Sequence, residues 1–435
     1  MLVLQNIWWL LVLIGVMILI HELGHFWAAR FFDVRVEAFS FGFGPRLFGF
    51  RRGETDFRFS AILFGGYVKM SGEQPGEDTA DPRSFSAKPR WQRLIIAFAG
   101  PAMNIILAVG LLTGLFMFRY PKLANADAPA TIGYIQKDSP AAQSGLREGD
   151  VIVQIEGIRN PKWEDVLVNE IASARKPITV AYMRDGQRNT TTVTPVLDSK
   201  TGVGSAGWEE YNQVQVAAVL PGMDAEKKGL QRGDVLVAAN GQPIRSLARL
   251  QDVVRVNGGK PVQIEYRRDQ EIRQASITPA WSEPEGQWLI GVQLERPVII
   301  TTLPFPEAIR ESVRQNVRSA SLIYQFLQGL VERRMSAKSL EGPIGIARLS
   351  GDAAREGPTA FVALMAMVSL NLAVFNLLPI PILDGGLILM LLIEMLMRRD
   401  MSLQVKEAVF KVGMVFLMAV VVFVLYNDIS KLLPG

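Results

Sequence analysis

The chain contains no cysteine and only two histidines among its 435 residues. The missing cysteine excludes a disulfide framework, a thiolate metal site and a cysteine nucleophile. Long charge-free runs are abundant, although charged residues still make up 20% of the chain. No charged side chain occurs in residues 2–20, 94–118, 357–383 and 412–427. The first three runs are long enough to span a bilayer, and the fourth is shorter but rich in Val, Leu, Phe and Met.

We therefore predict a multi-pass α-helical membrane protein. Its four transmembrane helices are expected at residues 1–30, 94–118, 357–397 and 408–428. A secretory signal peptide is the alternative for the first segment. No basic residue precedes its apolar run, however, and no small-x-small cleavage site follows it.

Basic residues flank these runs and predict their orientation. Eleven Lys or Arg residues lie from position 30 to position 93. Four more lie between the third and fourth runs: Arg398, Arg399, Lys406 and Lys411. The positive-inside rule places both loops in the cytoplasm and places both termini, with residues 127–300, outside. The basic residues that give the net charge of +4 therefore act as topology determinants. For this reason we expect no nucleic-acid partner.

The two histidines lie four residues apart, in His21-Glu22-Leu23-Gly24-His25. Residues i and i+4 share one face of a helix, so both imidazoles can bind one metal ion. This is the H-E-x-x-H arrangement, in which the histidines hold Zn²⁺ and the glutamate acts as general base. Because the motif ends the first charge-free run, we predict a zinc site toward the cytoplasmic end of a membrane helix.

A zinc site needs a third protein ligand, and no further histidine or cysteine is present to supply it. Asp384 is the strongest candidate, because an ionisable residue that ends a long uncharged run is costly and indicates function. Pro379 and Pro381 break the preceding helix, so the carboxylate can turn toward a protein cavity. The predicted topology brings Asp384 to the same cytoplasmic end as the histidines. Glu394 is the alternative ligand, although it could equally be an interfacial surface charge.

The predicted exterior region contains an internal repeat. Residues 145–152 recur at 229–236, an offset of 84 that also relates later residues of the region. A constant offset over a long stretch indicates a duplicated domain. The Gly-Leu-x-x-Gly-Asp string with alternating apolar residues resembles bacterial PDZ domains, so we expect two tandem PDZ-like α+β domains at 127–200 and 208–282. They could bind peptide C-termini, or they could be spacers that no longer bind peptides.

Residues 31–93 are predicted to form a membrane-associated β-hairpin region on the cytoplasmic side. Phenylalanines alternate with small residues at 39–43 and with a polar residue at 57–59. Period-2 aromatics around a polar turn indicate hairpins. These strands could re-enter the bilayer beside the metal site and hold an extended substrate at their edge. A cytoplasmic hairpin that merely packs on the helices is the alternative.

Residues 303–335 show a basic amphipathic pattern, with apolar residues at helical spacing from Ala308 to Leu330. One explanation is a helix that lies on the outer membrane surface. The other is a linker helix packed on the PDZ-like region.

Together these features resemble the bacterial site-2 protease family of intramembrane zinc metalloproteases, in its regulator-of-sigma-E protease branch. The resemblance covers essentially the whole chain and rests on the histidine motif, Leu383-Asp384-Gly385, the four spans and the repeats. Four more strings match the family: Gly42-Phe43-Gly44, Gly65-Gly66-Tyr67-Val68-Lys69-Met70, Ala99-Gly100-Pro101-Ala102-Met103-Asn104 and Leu340-Glu341-Gly342-Pro343-Ile344. One departure is Leu387, which stands where the family often has histidine.

The resemblance implies roles for particular residues. His21, His25 and Asp384 would bind one zinc ion per chain, and Glu22 would be the catalytic base. Asn371 and Asn376 would lie near the active site. The segment from Phe39 to Met70 would be a membrane-reentrant β structure that handles substrate. Its candidate substrate-binding residues are Gly42, Gly44, Gly65, Gly66 and Tyr67.

The resemblance also implies a substrate and a location. The substrate would be a single-span anti-sigma factor, trimmed beforehand outside the membrane, in an envelope stress response. The location would be the bacterial inner membrane, with lipid as a further partner and the PDZ-like domains in the periplasm. Two other functions are alternatives. A catalytically silent PDZ scaffold does not explain the three-ligand set, and an ion-coupled transporter does not explain tandem exterior repeats.

Overall fold

A computed structural model of the chain describes residues 2–73, 81–198, 201–283, 285–336 and 340–432. Met1 and residues 199–200, at the ends of two predicted segments, lie outside this set. The helices of the described part are α1 (Leu2–Phe31), α2 (Arg90–Phe118), α3 (Pro140–Gln143), α4 (Trp163–Ala172), α5 (Asp224–Lys227), α6 (Leu247–Asn257), α7 (Phe305–Val331), α8 (Pro343–Glu356), α9 (Pro358–Asn376), α10 (Asp384–Met397) and α11 (Leu403–Leu432). The strands are β1 (Val36–Arg52), β2 (Thr55–Met70), β3 (Tyr120–Leu123), β4 (Ile132–Ile135), β5 (Val151–Ile155), β6 (Ile158–Arg159), β7 (Ile178–Arg184), β8 (Gln187–Val193), β9 (Val196–Leu197), β10 (Gly204–Ser205), β11 (Trp208–Glu210), β12 (Val214–Val219), β13 (Val235–Ala239), β14 (Gln242–Pro243), β15 (Val262–Arg268), β16 (Glu271–Ile277), β17 (Ala280–Ser282), β18 (Gln287–Leu289), β19 (Val292–Glu295) and β20 (Val298–Thr301).

The chain divides into two compact units. The membrane unit comprises residues 1–120, 302–324 and 340–435, and the repeat unit comprises residues 121–301 and 325–339. Among the described residues, four helices are long and apolar enough to cross a membrane: α1, α2, α9 and α11. All four belong to the membrane unit, so the predicted number of spans is matched by helices of suitable length and composition.

The membrane helices approach each other through small residues. A Cβ atom added to Gly24 of α1 would lie 2.3 Å from the carbonyl oxygen of Ala99 on α2. Only glycine permits so close an approach, which favours tight helix packing in lipid. Farther along α1, Leu13 and Met17 pack against Phe361 of α9. These contacts hold α1, α2 and α9 together around the middle of the first helix.

The third predicted span, 357–397, is two helices. Helix α9 ends at Asn376, and α10 begins eight residues later at Asp384. Pro379 and Pro381 lie in the connection, where each lacks a backbone N–H and disfavours helical geometry at the residue before it. The connection allows Asp384 to start a helix of its own, and an acidic residue in a first turn suits the helix dipole.

Strands β1 and β2 are each folded, so that two strands build four sheet segments. Residues 36–41 pair with 66–70 on one side and with 56–59 on the other, and residues 46–52 pair with 55–60. The chain bends near Gly42 and Gly44, whose φ angles of 94° and 84° suit glycine. The segment 66–70 is therefore an edge of this sheet.

The repeat unit contains two copies of one fold, offset by 84 residues. Helix α3 begins at Pro140 and α5 at Asp224, and β5 begins at Val151 where β13 begins at Val235. Each copy has its own apolar core, one around Ile152 and the other around Leu236. Alternating buried positions on the strands and one buried face on α4 and α6 produce these cores.

Each copy closes with a strand that lies beyond the predicted end of its own domain. Strand β11, at Trp208–Glu210, pairs with β4, and β19, at Val292–Glu295, pairs with β12. The predicted range 127–200 stops before β11, which falls inside the range 208–282 predicted for the second domain, and 208–282 stops before β19. Three- and four-residue strands carry too little periodicity to be recognised. We call residues 132–210 repeat 1 and residues 214–295 repeat 2.

Helix α11 is joined to α8 by a buried carboxylate. The Asp428 side chain accepts hydrogen bonds from the backbone N–H groups of Gly342, Ile344 and Gly345, at 2.8, 2.9 and 3.2 Å. These amides belong to the start of α8, where N–H groups have no partner within the helix. Asp428 is 3% exposed, so this cap is shielded from solvent.

Candidate metal centre

Two imidazoles and one carboxylate converge in the membrane unit. Nε2 of His21 lies 3.1 Å from Oδ2 of Asp384, and Nε2 of His25 lies 3.4 Å from Oδ1. The two Nε2 atoms are 3.2 Å apart. Two imidazole nitrogens and a carboxylate oxygen form a typical three-residue zinc set that leaves a fourth position open. Among the described residues, no hydrogen-bond donor reaches the buried Oδ2 of Asp384, which fits a ligand atom directed at a cation.

The elements that carry these groups explain the convergence. His21 and His25 occupy successive turns of α1 and face the same side. Asp384 begins α10, directly after the proline-containing connection. The structure thus brings together the three residues predicted as ligands.

Helix α2 lies directly against the imidazoles. A Cβ atom at Gly100 would be 2.2 Å from Nε2 of His25 and 2.8 Å from Nε2 of His21. Any side chain at Gly100 would enter the space between the two nitrogens. Glycine is therefore required for α2 to cover the cluster.

Glu22 lies beside the cluster. Its carboxylate interacts with the backbone N–H of Val68, and a Cβ at Gly66 would be 3.2 Å from its Cγ. The edge segment of the folded sheet therefore packs on the side chain predicted as general base.

A cavity of 420 Å³ opens beside these groups. The predicted site residues that line it are His21, Glu22, His25, Gly65, Gly66, Tyr67, Asn376 and Asp384. Leu387 also lines it, with an apolar side chain that packs on the core below the sheet. A sheet edge, a carboxylate and a metal-ligand set thus share one cavity.

Three predicted residues lie away from this cavity. Gly42 and Gly44 are at the bend of the folded sheet, and Asn371 is on α9 without lining the cavity. The two glycines shape the sheet, because positive φ is required where the strand turns back.

Glu394, the alternative ligand in the sequence, belongs to a separate ion cluster. It is 1% exposed, with Oε1 2.8 Å from Nζ of Lys406 and Oε2 3.8 Å from Arg93. The alternative of an interfacial surface charge is wrong as well. A buried carboxylate is stable only when paired, and here basic residues from α2 and α11 supply the pairing.

Some residues of the site had no predicted role. The carbonyl of Ile96 accepts a hydrogen bond from Nδ1 of His25 at 2.9 Å, and Asn104 contacts Nδ1 of His21 at 3.2 Å. Ser369 donates to the carbonyl of Asn104 at 2.9 Å. Gly100 and Asn104 occur in a string that matches the family, and an amide side chain within an apolar span is a further signal for Asn104.

Known proteins resemble this chain over nearly its whole length. A model of Peptidase family M50 matches residues 9–420. A chain of Xylella fastidiosa (strain Temecula1), named as a candidate zinc metalloprotease, is 32% identical and aligns over 98% of this chain and 99% of its own. The Regulator of sigma-E protease of Escherichia coli (strain K12) is 31% identical over 97% of this chain and 98% of its own. The similar protein of Salmonella typhimurium (strain 14028s) is also 31% identical, over 99% of both chains. The chain belongs to peptidase family M50.

Proposed function

We propose that this zinc metalloprotease hydrolyses a peptide bond within or next to the transmembrane segment of a single-span membrane protein. The observation that carries the proposal is the convergence of His21, His25 and Asp384 on a cavity at the end of a membrane-length helix. One zinc ion per chain would be held by these three residues.

The chain's own groups divide the chemistry among them. A zinc ion held there would polarise the scissile carbonyl and make water acidic enough to be activated near neutral pH. Glu22 accepts the proton of the attacking water and returns it to the leaving amine. Asn376 lines the same cavity and can donate its amide N–H to the oxyanion.

The folded sheet supplies a means of presenting the substrate. A helical segment hides its amides in internal hydrogen bonds, so it must unwind before it can be cut. Residues 66–70 form a sheet edge beside Glu22, and Gly66, Tyr67 and Val68 line the cavity. We expect an unwound substrate to add to this edge as a further strand.

The test is cleavage of a single-span substrate by the detergent-purified protein. Glu22→Gln keeps the shape of the side chain but removes the base, and we expect activity to fall about 10²–10⁴-fold. Chelator should abolish cleavage, and zinc should restore it. Glu407→Gln, an exposed carboxylate of α11 that pairs with Lys411, is the matched control and should cleave normally. Cleavage that persists in Glu22→Gln or after verified metal removal would contradict the mechanism.

We propose that the substrate is a regulatory single-span protein such as an anti-sigma factor. The support is the similarity to relatives named as regulators of sigma E. Mass spectrometry of the products should place the cut inside or beside the span of an anti-sigma factor that was first trimmed outside the membrane. An intact untrimmed protein that is cleaved equally well would contradict this assignment.

The proposed orientation is an inner-membrane protein with repeats 1 and 2 and both termini in the periplasm. Since the chain has no cysteine, one introduced cysteine reports its own location without background. Lys228→Cys in repeat 2 should react with an impermeant maleimide in spheroplasts, whereas Arg399→Cys should react only after lysis. The reverse labelling would invert the topology.

Two surfaces are proposed to meet other molecules. Repeats 1 and 2, as PDZ-like domains, would bind peptide C-termini or exclude bulky substrates. Helix α7 packs on α2 through Ser312, which donates to the carbonyl of Val109 at 2.7 Å, while Ile309, Val313 and Val317 are exposed. An apolar face of this kind would lie on the membrane surface in contact with lipid.

A further inference from the structure

The two histidines of the metal centre differ in what holds their second ring nitrogen. Nδ1 of His25 faces the backbone carbonyl of Ile96 at 2.9 Å. A carbonyl can only accept, so this Nδ1 carries the proton and Nε2 keeps its lone pair for a metal. The backbone thus fixes the His25 tautomer.

His21 has a side chain in the corresponding place. Its Nδ1 lies 3.2 Å from the amide nitrogen of Asn104, and in the described part of the chain the buried amide oxygen of Asn104 has no hydrogen-bond partner. With this amide orientation Asn104 donates to Nδ1, so the ring proton of His21 is on Nε2. Such a tautomer cannot bind a metal through Nε2.

Rotation of the Asn104 amide by 180° resolves this conflict. The oxygen and nitrogen of an amide have almost the same size, so exchanging them requires no change in packing. The oxygen then accepts the Nδ1 proton of His21, and the Nε2 lone pair is free for the ion. Asparagine suits both tautomers of His21, since one end of its amide donates and the other accepts.

Burial and a hydrogen bond to its backbone keep Asn104 in this position. It is fully buried on α2, one turn after Gly100, which approaches both imidazoles. The hydroxyl of Ser369 on α9 donates to its backbone carbonyl at 2.9 Å. The side chain amide is therefore presented to His21 from a fixed backbone.

We propose that Asn104 is a positioning residue for the ligand His21, whose Nδ1 proton it accepts so that Nε2 binds the metal. The proposal rests on the proposed zinc site and assigns a residue outside the ligand set. Asn104 does not contact Asp384 or Glu22 in the described hydrogen bonds, so its effect on the metal passes through His21.

The first test uses the fact that the chain has only two histidines. In zinc-loaded protein with ¹⁵N-labelled histidine, NMR should show two imidazoles that are both protonated at Nδ1 and bound to metal at Nε2. In Asn104→Leu the Nδ1 proton of His21 should lose its hydrogen-bond shift, whereas that of His25 should be unchanged. A wild-type His21 that binds zinc through Nδ1 would overturn the proposal without any variant.

The second test measures zinc affinity by competition with a chelating indicator. Asn104→Leu removes the acceptor at similar size and should weaken binding about 10–100-fold. Asn104→Asp keeps an acceptor, so it should bind zinc at least about tenfold more tightly than Asn104→Leu does. Equal losses in both variants, or no loss in Asn104→Leu, would overturn the proposal.

The failure of this proposal can be told apart from the failure of the proposed function. If the wild-type protein binds no zinc, or if Glu22→Gln cleaves normally, then the proposed function fails. If the wild-type protein binds zinc and Asn104→Leu binds it equally well, only the role of Asn104 fails. Hydrogen exchange of α1 and α2 should be unchanged in Asn104→Leu as well as in Asn104→Asp, which separates positioning from loss of fold.

Discussion

Repeat 1 and repeat 2 have the same ion pair at the Gly-Asp turn, which we call the anchor. They differ in how the long helix packs against the segment that leads into the closing strand, and we call this contact the seam. In repeat 1 the Asp150 carboxylate receives two hydrogen bonds from Arg184, both at 2.7 Å, and one from the N–H of Arg147. In repeat 2 Asp234 receives the same bonds from Arg268, again at 2.7 Å. The Gly-Asp turn that identifies the repeat in the sequence is therefore held by the same bidentate ion pair in both copies.

The seam lies between the long helix of each repeat and the segment that leads into its closing strand, residues 204–208 in repeat 1 and 288–292 in repeat 2. In repeat 1 Glu170 of α4 accepts hydrogen bonds from the N–H of Ala206 at 2.6 Å and from Nε1 of Trp208 at 2.8 Å. The equivalent residue of repeat 2 is Val254, which belongs to the apolar core. One copy joins helix to loop by a buried carboxylate, and the other joins them by apolar packing.

At the same seam the two repeats also differ in which side carries the glycine and which side carries the larger side chain. Gly204, in β10 of repeat 1, lies against α4, where an added Cβ would lie 2.2 Å from the carbonyl oxygen of Glu170. Its equivalent in repeat 2 is Trp288, and there the glycine is on the opposite side, at Gly259. Both repeats are therefore closely packed here. The glycine and the large side chain occupy opposite sides in the two copies, and the buried carboxylate is present only in repeat 1. In this duplicated fold the turn and its ion pair are the same in both copies, whereas the residues that fill the seam differ.

The largest expected effect tests the shared anchor. Asp150→Ala and Asp234→Ala each leave a guanidinium and a backbone N–H without their partner, so each should destabilise its own repeat by about 3–5 kcal/mol. Hydrogen exchange of strand amides in the intact protein measures the loss in each repeat. A loss below about 1 kcal/mol in either one would break the equivalence.

The next effect concerns pH and should separate the two repeats. Burial raises the pKa of Glu170 from 4.5 to about 7, although its two hydrogen bonds oppose the rise. Folded repeat 1 thus holds the proton more tightly than the unfolded chain, so stability is greatest below pH 4.5 and falls as pH rises through about 7. The total loss is about 3 kcal/mol.

Hydrogen exchange at pH 5 and pH 8, corrected for intrinsic rates, measures this difference. Repeat 2 has Val254 at this position and should lack this dependence. Glu170→Gln, which has no proton to lose, should remove it from repeat 1. An equal pH dependence in both repeats would contradict the assignment to Glu170.

A smaller effect is expected where volume was exchanged. Gly204→Ala places a methyl group against backbone that cannot move aside, so repeat 1 should lose about 1–3 kcal/mol. Gly259→Ala should cost repeat 2 less, because the Cβ would lie 3.0 Å from the ring edge of Trp288, which can shift. Chemical denaturation followed by exchange of each repeat gives both values, and the opposite order would refute the comparison.

The smallest effect concerns a contact between the repeats. The Tyr134 hydroxyl of repeat 1 donates to Asp252 of repeat 2, and burial and this carboxylate raise the pKa of Tyr134 to about 12. The hydroxyl therefore stays a donor at every physiological pH. Tyr134→Phe should cost about 1 kcal/mol. The loss should appear in both repeats, and a loss confined to one would show that the bond does not couple them.

The sequence was sufficient for features that rest on local spacing. The histidine pair is recognised by its spacing of one helical turn. Asp384 is recognised because it follows an uncharged run that ends at prolines, and the repeats are recognised by their constant offset. Each of these is encoded by neighbours along the chain, so its periodicity is visible before folding. The roles of the ligands and of Glu22 stay predictions until the variants are measured.

Features that depend on long-range contact could not be read in advance. The second pairing of residues 36–41 in the folded sheet depends on bends whose direction no short string specifies. The sequence alone leaves Glu394 as either a metal ligand or a surface charge, because Lys406, which lies beside it, is on another helix. Asn104 was visible as a polar residue in an apolar run, but its partner is 83 residues earlier in the chain.

The cap that Asp428 places on α8 has a consequence for biosynthesis. The three amides it binds belong to residues 342–345, so the ribosome must add at least 83 more residues before their acceptor exists. Until then the start of α8 presents unpaired N–H groups, and α11 has not yet entered the membrane. Assembly of this part of the protein must therefore wait for the translation of α11, whatever the order in which the earlier helices insert.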